Sequence, residues 1–335
     1  MIVSTIFHYI LRIRLVLKMI NGMINIYKEA GFTSHDVVAK LRGILKQKKI
    51  GHTGTLDPQA VGVLPVCLGN ATKLCDLLTD KDKEYEAVLR LGVVTDTQDM
   101  TGEILRECDV TVKEEEVVEA VLSFIGDYNQ IPPMYSALKV NGQKLYDLAR
   151  QGIEVERQAR PVTIHNIEIK EVNLPCIRFG VECSKGTYIR TLCHDIGEKL
   201  GCGGAMESLK RTRVGSFVSE EAITLTEVEK LRDEGMVDEH VLKVEDVFAT
   251  YPKVAAKADG VRLLRNGNVL YRNQVVKVQE EEASISVKQG FTLTANVEGS
   301  LVRMYDDSGV FYGIYEYRKN QGIYKPYKMF LPNEA

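Results

Sequence analysis

The chain has 335 residues, of which 44% are hydrophobic and 27% charged, and its formal net charge is −3. This composition is typical of a globular protein and excludes a disordered, collagenous or low-complexity chain. Since single domains rarely exceed about 250–300 residues, the length predicts a main domain with a smaller appendage. The near-neutral charge argues against a protein that holds nucleic acid through a general excess of Lys and Arg.

The amino terminus carries no recognisable membrane signal. Residues 1–22 are apolar, but Arg12, Arg14 and Lys18 interrupt them. A spanning helix needs about 20 apolar residues, and a signal peptide has its charges before its apolar stretch. We therefore expect a dispensable or mis-started leader, with a basic surface helix as the alternative. The seven cysteines are scattered without a C-x-x-C pair, which favours a reducing cytoplasm and predicts no metal site.

Alternating and helical spacings predict a mixture of strands and helices up to about residue 217. In chain order these are strand 23–28, a helix with Ser34 as its N-cap, a glycine-punctuated loop at 51–62, strand 84–93, helix 112–125, strands 160–172 and 176–183, and helix 187–201. An excursion that begins at Pro132-Pro133 interrupts them and is expected to be mobile. An acidic, helical stretch near 219–246 is expected to be a spacer.

From about Pro252 the texture changes to short alternating runs separated by Gly, Asn and Asp. One of these runs is G290-F-T-L-T-A-N-V297. The remaining 80 or so residues predict a small all-β domain, either a barrel or a sandwich.

The glycine-punctuated loop is the first candidate site. It lacks the spacings of phosphate-binding and dinucleotide-binding loops, but it contains Asp57 followed by Pro58. Proline fixes the backbone, and the flanking glycines let a ligand approach closely. A single carboxylate in such a turn is usually a structural cap. Arg190, in the predicted strand-to-helix junction, would instead hold it ionised and oriented if the fold brings the two together.

Aromatic and basic residues occur side by side at two further places. Tyr85 follows Lys83, and Tyr188 follows Lys185. Such mixtures bind nucleic acids, although plain core packing of the tyrosines is the alternative. His52 has no other histidine at ligand spacing, so it is not predicted to bind a metal.

The stretch G51-H-T-G-T-L-D-P-Q-A-V-G-V-L-P-V-C-L-G-N-A-T-K73 resembles the catalytic-loop motif of the bacterial tRNA pseudouridine-55 synthases of the TruB family. Four further motifs occur in that family's order: D82-K-E-Y-E86, Q130-I-P-P-M-Y-S-A-L-K139, C183-S-K-G-T-Y-I-R-T-L192 and L209-K-R-T-R-V214. The resemblance covers about residues 23–217. One departure is Glu29, where the family usually has proline, and it bears on the local turn.

The resemblance implies the fold class. This is the α+β pseudouridine synthase fold, with a mixed, mainly antiparallel central sheet flanked by helices and a small PUA-like β-barrel after it. The implied boundaries are a leader at 1–22, a catalytic domain at 23–248 and a PUA-like domain at 249–335. Within the catalytic domain, an RNA-binding insertion, here called the thumb, occupies 129–158.

The resemblance also implies a reaction. The T-loop uridine at position 55 of tRNA is isomerised to pseudouridine after it is flipped out of the stack, without cofactor or metal. Asp57 matches the essential aspartate, as nucleophile or as a base toward the sugar, and Arg190 matches its ion-pair partner. The remaining matches are Tyr85 as the stacking residue and His52, Tyr188 and Leu209 as substrate contacts. Candidate contacts to the RNA backbone are Lys73, Lys139, Lys144, Lys185, Lys210 and Arg211.

The implied partner is the T arm of tRNA, bound by a cytoplasmic monomer without a protein partner or membrane. The net charge is compatible with this, because residues 110–127 and 217–248 carry −4 and −7 and the rest carries +8. Two alternatives remain: an RNA-binding protein that helps tRNA to fold, and a pseudouridine synthase that acts on another RNA, as guide-RNA-dependent relatives do.

Overall fold

Two β-sheets organise the chain, whose computed structural model describes residues 19–277 and 297–331. In chain order the strands are β1 (Gly22–Lys28), β2 (Ile50–His52), β3 (Val61–Leu68), β4 (Lys83–Leu91), β5 (Val93–Thr95), β6 (Ile104–Glu107), β7 (Gly126–Gln130), β8 (Lys139–Val140), β9 (Gln143–Lys144), β10 (Arg160–Asn173), β11 (Cys176–Cys183), β12 (Gly204–Val214), β13 (Phe217–Val218), β14 (Val241–Leu242), β15 (Lys253–Ala256), β16 (Leu270–Tyr271), β17 (Val275–Lys277), β18 (Leu301–Tyr305), β19 (Phe311–Arg318) and β20 (Ile323–Met329). The α-helices are α1 (Ser34–Leu45), α2 (Cys75–Thr79), α3 (Glu114–Leu122), α4 (Leu145–Ala149), α5 (Ile189–Lys199), α6 (Leu225–Glu234) and α7 (Ala258–Arg265).

The main sheet is mixed and mainly antiparallel, as predicted. Its strand order is β14-β1-β3-β12-β4-β11-β10-β7, with β2 paired to β3 and β13 to β12. Among its described pairings, β3 with β12 is parallel and the others are antiparallel. Helices α3 and α5 pack their apolar side chains on β4, β10 and β11, while α1 and α6 pack near β1 and β3. The fold class predicted from the sequence is confirmed.

Helix α1 begins differently from the prediction. The N-cap is Thr33, whose hydroxyl accepts a hydrogen bond from the Asp36 amide, while the Asp36 carboxylate accepts one from the Thr33 amide at 2.8 Å. Ser34, the predicted cap, is the first helical residue. Its hydroxyl accepts a hydrogen bond from the Leu56 amide at 2.9 Å, so it holds the loop that follows β2.

The acidic stretch near 219–246 is not a spacer, so that expectation was wrong. Leu225 and Val228 of α6 are buried in the same apolar cluster as the inner side of α1. Strand β14 then pairs with β1 and forms one edge of the main sheet. The acidic residues made this segment look exposed throughout, whereas they cover only its outer side, as is usual for a surface helix.

The C-terminal sheet is a nearly closed six-stranded barrel, with strand order β16-β20-β19-β18-β15-β17. The all-β prediction missed helix α7, which packs Leu264 into the barrel's apolar cluster. Most of the predicted run 290–297 lies outside the described residues. The barrel contacts the main sheet directly, because Ile314 and Phe330 share a cluster with Met23 and Cys67.

The predicted leader falls largely outside the described residues, which begin at Met19. Ile20 already belongs to the fold, because its backbone amide and carbonyl bond to the Gln47 side chain at 2.9 and 3.0 Å. Among the described helices, none is long and apolar enough to cross a membrane.

Gly62 offers a test of how tightly β3 approaches β12. Its φ is +104°, and a Cβ atom there would lie 2.2 Å from the Arg211 carbonyl oxygen. Gly309 has a similar φ of +83° but nothing within 4 Å of its Cβ position. Gly62→Ala should therefore lower the free energy of unfolding by about 2 kcal/mol more than Gly309→Ala, measured by urea denaturation. Equal losses would contradict the close approach.

Candidate active site

Two buried cations hold the loop between β2 and β3, here called the aspartate loop (residues 53–60). The Lys28 ammonium, at the end of β1, donates to the carbonyls of Glu29, Pro58 and Ala60 at 3.1, 2.9 and 2.6 Å. Since this ammonium has three donors and all three are used on backbone carbonyls, it fixes the C-terminal half of the loop.

Arg211 of β12 holds the other half of the aspartate loop. Its guanidinium donates to the carbonyls of Gly54, Thr55 and Val63 at 3.3, 3.4 and 2.8 Å. Arg211 is only 1% exposed, so the expectation that it contacts the RNA backbone was wrong. The basic run 210–213 is typical of a solvent-facing cluster, but the alternation of side chains along β12 turns the Arg211 side chain inward.

Asp57 lies at the tip of the aspartate loop and forms a two-pronged ion pair with Arg190. Arg190 Nε is 2.9 Å from Asp57 Oδ2, and Arg190 Nη2 donates to Asp57 Oδ1 at 3.2 Å. The arginine side chain is 6% exposed and the aspartate side chain 36% exposed. The guanidinium therefore supports the carboxylate from below and leaves part of it open to a ligand.

The rest of the Arg190 guanidinium is used by two other segments. Nη1 donates to the Thr97 carbonyl at 3.0 Å and lies 3.9 Å from Asp99 Oδ2, and Nη2 donates to the Tyr135 carbonyl at 2.8 Å. Asp99 is itself oriented by the Thr97 hydroxyl at 2.8 Å. The sequence analysis did not single out Asp99, although the run T95-D-T-Q-D99 placed two acids beside hydroxyl groups.

Tyr85 lies on β4, directly opposite Arg211 in the register of β4 and β12. It is 8% exposed, and burial raises the pKa of its phenol to about 12, while the neighbouring Arg211 guanidinium acts in the opposite direction. The phenol is therefore neutral near pH 7. The Asp57 charge also acts on this phenol, so Tyr85 lies near the aspartate loop.

The three predicted substrate contacts are His52, Tyr188 and Leu209, and they lie on three different elements. His52 ends β2, its Nδ1 accepts from the Gly54 amide at 3.3 Å, and its ring meets His35 edge-on at 5.2 Å between centroids. Burial lowers the pKa of His52, which favours the neutral imidazole. Tyr188 precedes α5, and burial raises its pKa. Leu209 is half-buried on β12.

The remaining predicted RNA contacts are dispersed. Lys139 and Lys144 lie on the β8–β9 hairpin of the thumb and line an open cleft of about 620 Å³ together with Arg150. Lys185 pairs with Asp80 at 2.8 Å. Lys73 donates to the Met329 carbonyl of the barrel at 2.8 Å, and Lys210 is half-buried on β12.

Lys28 was also missed by the sequence analysis, which placed it at the end of a strand and attached no role to it. Burial lowers the pKa of its ammonium from 10.5 to about 8, and the nearby Asp57 charge partly opposes this. Within residues 19–277 and 297–331, no three His, Cys, Asp or Glu side chains are grouped so that they could hold a metal ion.

Comparison with known proteins defines the class of this fold. Among solved structures, the chain is similar to an H/ACA RNP bound to a substrate RNA containing 2'-deoxyuridine, with a TM-score of 0.66, 26% identity and coverage of 96% of this chain and 88% of that one. It is also similar to an archaeal box H/ACA sRNP Nop10–Cbf5 complex, with a TM-score of 0.64, 26% identity and coverage of 96% and 89%. The main sheet thus has the pseudouridine synthase fold.

The family follows from the sequence matches. Residues 42–189 match the TruB family pseudouridylate synthase N-terminal domain, and residues 190–249 match the tRNA pseudouridylate synthase B C-terminal domain. The chain is 53% identical over 322 residues to tRNA pseudouridine synthase B of Lachnoclostridium phytofermentans, covering 93% of this chain and 100% of the relative. It is 47% identical over 296 residues to the Clostridium perfringens protein of that name, covering 88% and 94%. The chain belongs to the TruB family, which confirms the resemblance.

Arg190→Lys tests the two-pronged contact. A lysine is a point charge that cannot make two parallel hydrogen bonds to Asp57, so we expect uridine isomerisation to slow by about 100-fold or more. Arg213→Lys is the matched control, because Arg213 also bonds two carboxylates, those of Glu84 and Glu182, away from the aspartate loop. Wild-type turnover by Arg190→Lys would refute a role for the planar contact.

Lys28 predicts a pH dependence of stability. Because the folded state lowers its pKa from 10.5 to about 8, the unfolded state binds more protons between these values. The wild-type free energy of unfolding should therefore rise by about 1–3 kcal/mol relative to Lys28→Met as the pH increases from about 8 to 10.5. Chemical denaturation across this range tests it, with Lys40→Met, at an exposed site, as control. Parallel curves for wild type and Lys28→Met would contradict the shift.

Proposed function

We propose that this chain is a tRNA pseudouridine synthase that isomerises the T-loop uridine at position 55, with Asp57 as the essential carboxylate. The observation that carries the proposal is the two-pronged pair between Asp57 and Arg190, in a chain that matches its relative from Lachnoclostridium phytofermentans over that relative's full length. That relative is a tRNA pseudouridine synthase B, and pseudouridine synthases are isomerases.

The reaction moves one bond without changing composition. The bond between ribose C1′ and uracil N1 breaks, the base turns, and C1′ bonds to C5. The C5 hydrogen leaves as a proton, and N1 gains one. A carboxylate beside C1′ serves this step either as a nucleophile, which holds the sugar covalently, or as a base, which deprotonates it at C2′. Arg190 holds the Asp57 carboxylate in one orientation for both routes.

The base must leave the stack of the T loop before Asp57 can reach its sugar. We assign Tyr85 to the face of the flipped base, since its neutral ring lies beside the aspartate loop. His52, Tyr188 and Leu209 are proposed as further contacts to the uridine or to the gap that it leaves. Because Tyr85 is only 8% exposed, the proposal requires that the groups covering its ring move when the base enters.

The proposed RNA surface includes the thumb and Lys210 of β12. Lys139 and Lys144 line an open cleft in the thumb, and their positive charges would bind phosphates there. We extend the proposal to a catalytic domain at 23–248 with its thumb at 129–158, and to a PUA-like domain at 249–335. The enzyme is proposed to act in the cytoplasm as a monomer on the T arm of tRNA.

Two other functions compete with this one. A tRNA-folding protein would need the basic and aromatic surface but not the ion pair at Asp57. A synthase directed by a guide RNA is the second alternative, and the likeness to H/ACA ribonucleoprotein complexes supports it. The full-length match to the tRNA pseudouridine synthase B of Lachnoclostridium phytofermentans favours action on tRNA without a guide.

Tritium release from C5-labelled uridine in a tRNA transcript tests the function. Wild-type enzyme alone, without guide RNA, should release tritium, and a transcript with cytidine in place of the T-loop uridine should release none. Asp57→Asn removes the charge at constant size, so release should fall by about 10⁴-fold or more while tRNA binding survives.

The controls separate the alternatives. Tritium release by wild type from the cytidine transcript would place the target uridine elsewhere in tRNA. Binding and refolding of tRNA without any release would favour the folding protein. Substantial release by pure Asp57→Asn enzyme would refute the role of the carboxylate.

A further inference from the structure

Gln130 lies where the thumb joins the main sheet. It is the last residue of β7, and it pairs in register with Arg160, the first residue of β10. The chain between these two residues lies outside the main sheet. The Gln130 side chain is only 1% exposed. A buried amide thus lies at the point where the thumb joins the main sheet.

This amide binds both backbone groups of Tyr188. Gln130 Oε1 accepts from the Tyr188 amide at 2.7 Å, and Gln130 Nε2 donates to the Tyr188 carbonyl at 3.0 Å. Tyr188 is the residue from which α5 begins, and this helix has no side-chain N-cap. The Gln130 amide therefore fixes the helix start in the way that a neighbouring strand would.

Arg190 follows two residues later and is tied to the thumb a second time. Its Nη2 donates to the carbonyl of Tyr135, which lies inside the thumb. The same nitrogen donates to Asp57. Displacement of the thumb base would therefore act on the guanidinium at two points, through Tyr188 and through Tyr135, and on the carboxylate that the guanidinium orients.

We infer that Gln130 is a positioning residue through which the base of the thumb, when RNA binds to the thumb, sets the orientation of Arg190 and hence of Asp57. The inference rests on the proposed function, since it assigns a task within that reaction. It separates two properties that usually change together: the affinity for RNA, which depends on the thumb's surface, and the rate of the chemical step, which depends on the pair beneath it.

Two variants at the base of the thumb isolate this task. Gln130→Met keeps the length of the side chain and removes both hydrogen bonds to Tyr188. Thr163→Val keeps the shape of a side chain on β10 and removes a different hydrogen bond at the base of the thumb, the one that the Thr163 hydroxyl donates to the Asp127 carboxylate of β7 at 3.0 Å. Because Thr163 pairs with Asp127, three residues before Gln130, this control loosens the attachment of β7 without removing a bond to the start of α5.

The measurements are single-turnover tritium release at saturating tRNA and tRNA affinity, the latter in an Asp57→Asn background. We expect Gln130→Met to slow release by about tenfold or more with affinity changed by less than about threefold, and Thr163→Val to keep the wild-type rate. In an Arg190→Lys background, Gln130→Met should add less than about threefold, because both changes act through the same contact. Should Gln130→Met not fold, Gln130→Glu keeps the acceptor for the Tyr188 amide, loses the donor, and should slow release likewise.

Three outcomes would overturn the inference. A wild-type rate for Gln130→Met or, if that variant does not fold, for Gln130→Glu would show that the amide does not act on the pair. Equal slowing by Thr163→Val would mean that Gln130 only stabilises the fold. Additive effects with Arg190→Lys would mean that it acts elsewhere. If wild type releases tritium while these tests fail, the inference alone is refuted; if wild type is silent on tRNA, the proposed function falls and takes the inference with it.

Discussion

The structure depends on keeping one guanidinium charged while it is almost completely buried. Burial removes the Arg190 guanidinium from solvent, and a buried cation without partners would strongly destabilise the fold. Its partners come from segments far apart in the chain: the carboxylate of Asp57 and the carbonyls of Thr97 and Tyr135. These three groups together satisfy the buried guanidinium. A single side chain therefore holds the aspartate loop, the β5–β6 connection and the thumb in place relative to one another.

The same principle operates below the aspartate loop. Lys28 and Arg211 are also buried cations, and each is satisfied mainly by backbone carbonyls of the loop or its flanks. A loop with this many inward-facing carbonyls would be unstable without such donors. The positive charges of Lys28 and Arg211 also act on Asp57. The same contacts therefore set the shape of the aspartate loop and the electrostatic environment of its carboxylate, and neither can be changed without the other.

Local patterns in the sequence predicted most of the elements, because periodicity and caps are local properties. They failed where a tertiary contact reassigned a residue. Ser34 looked like a helix cap, but its hydroxyl bonds the Leu56 amide while Thr33 caps the helix. The 219–246 stretch looked like a spacer, because only its outer, acidic side was visible in the composition. The family motifs supplied Asp57 and Arg190, but spacing alone could not bring together residues on different elements. Arg211 was misplaced and Lys28 overlooked for one reason: a cation in a sequence is expected in water, and only the fold shows that it is buried.

The contact between the barrel and the main sheet has a consequence for geometry. Ile314 and Phe330 of the barrel share an apolar cluster with Met23 and Cys67 of the main sheet, and Lys73 adds a polar link to Met329. Two bodies that share a core cannot hinge freely, so the barrel stands at a set distance from Asp57. Under the proposed function, an RNA that contacts both bodies would present to Asp57 a nucleotide chosen by the distance between its two contact points as well as by its base sequence.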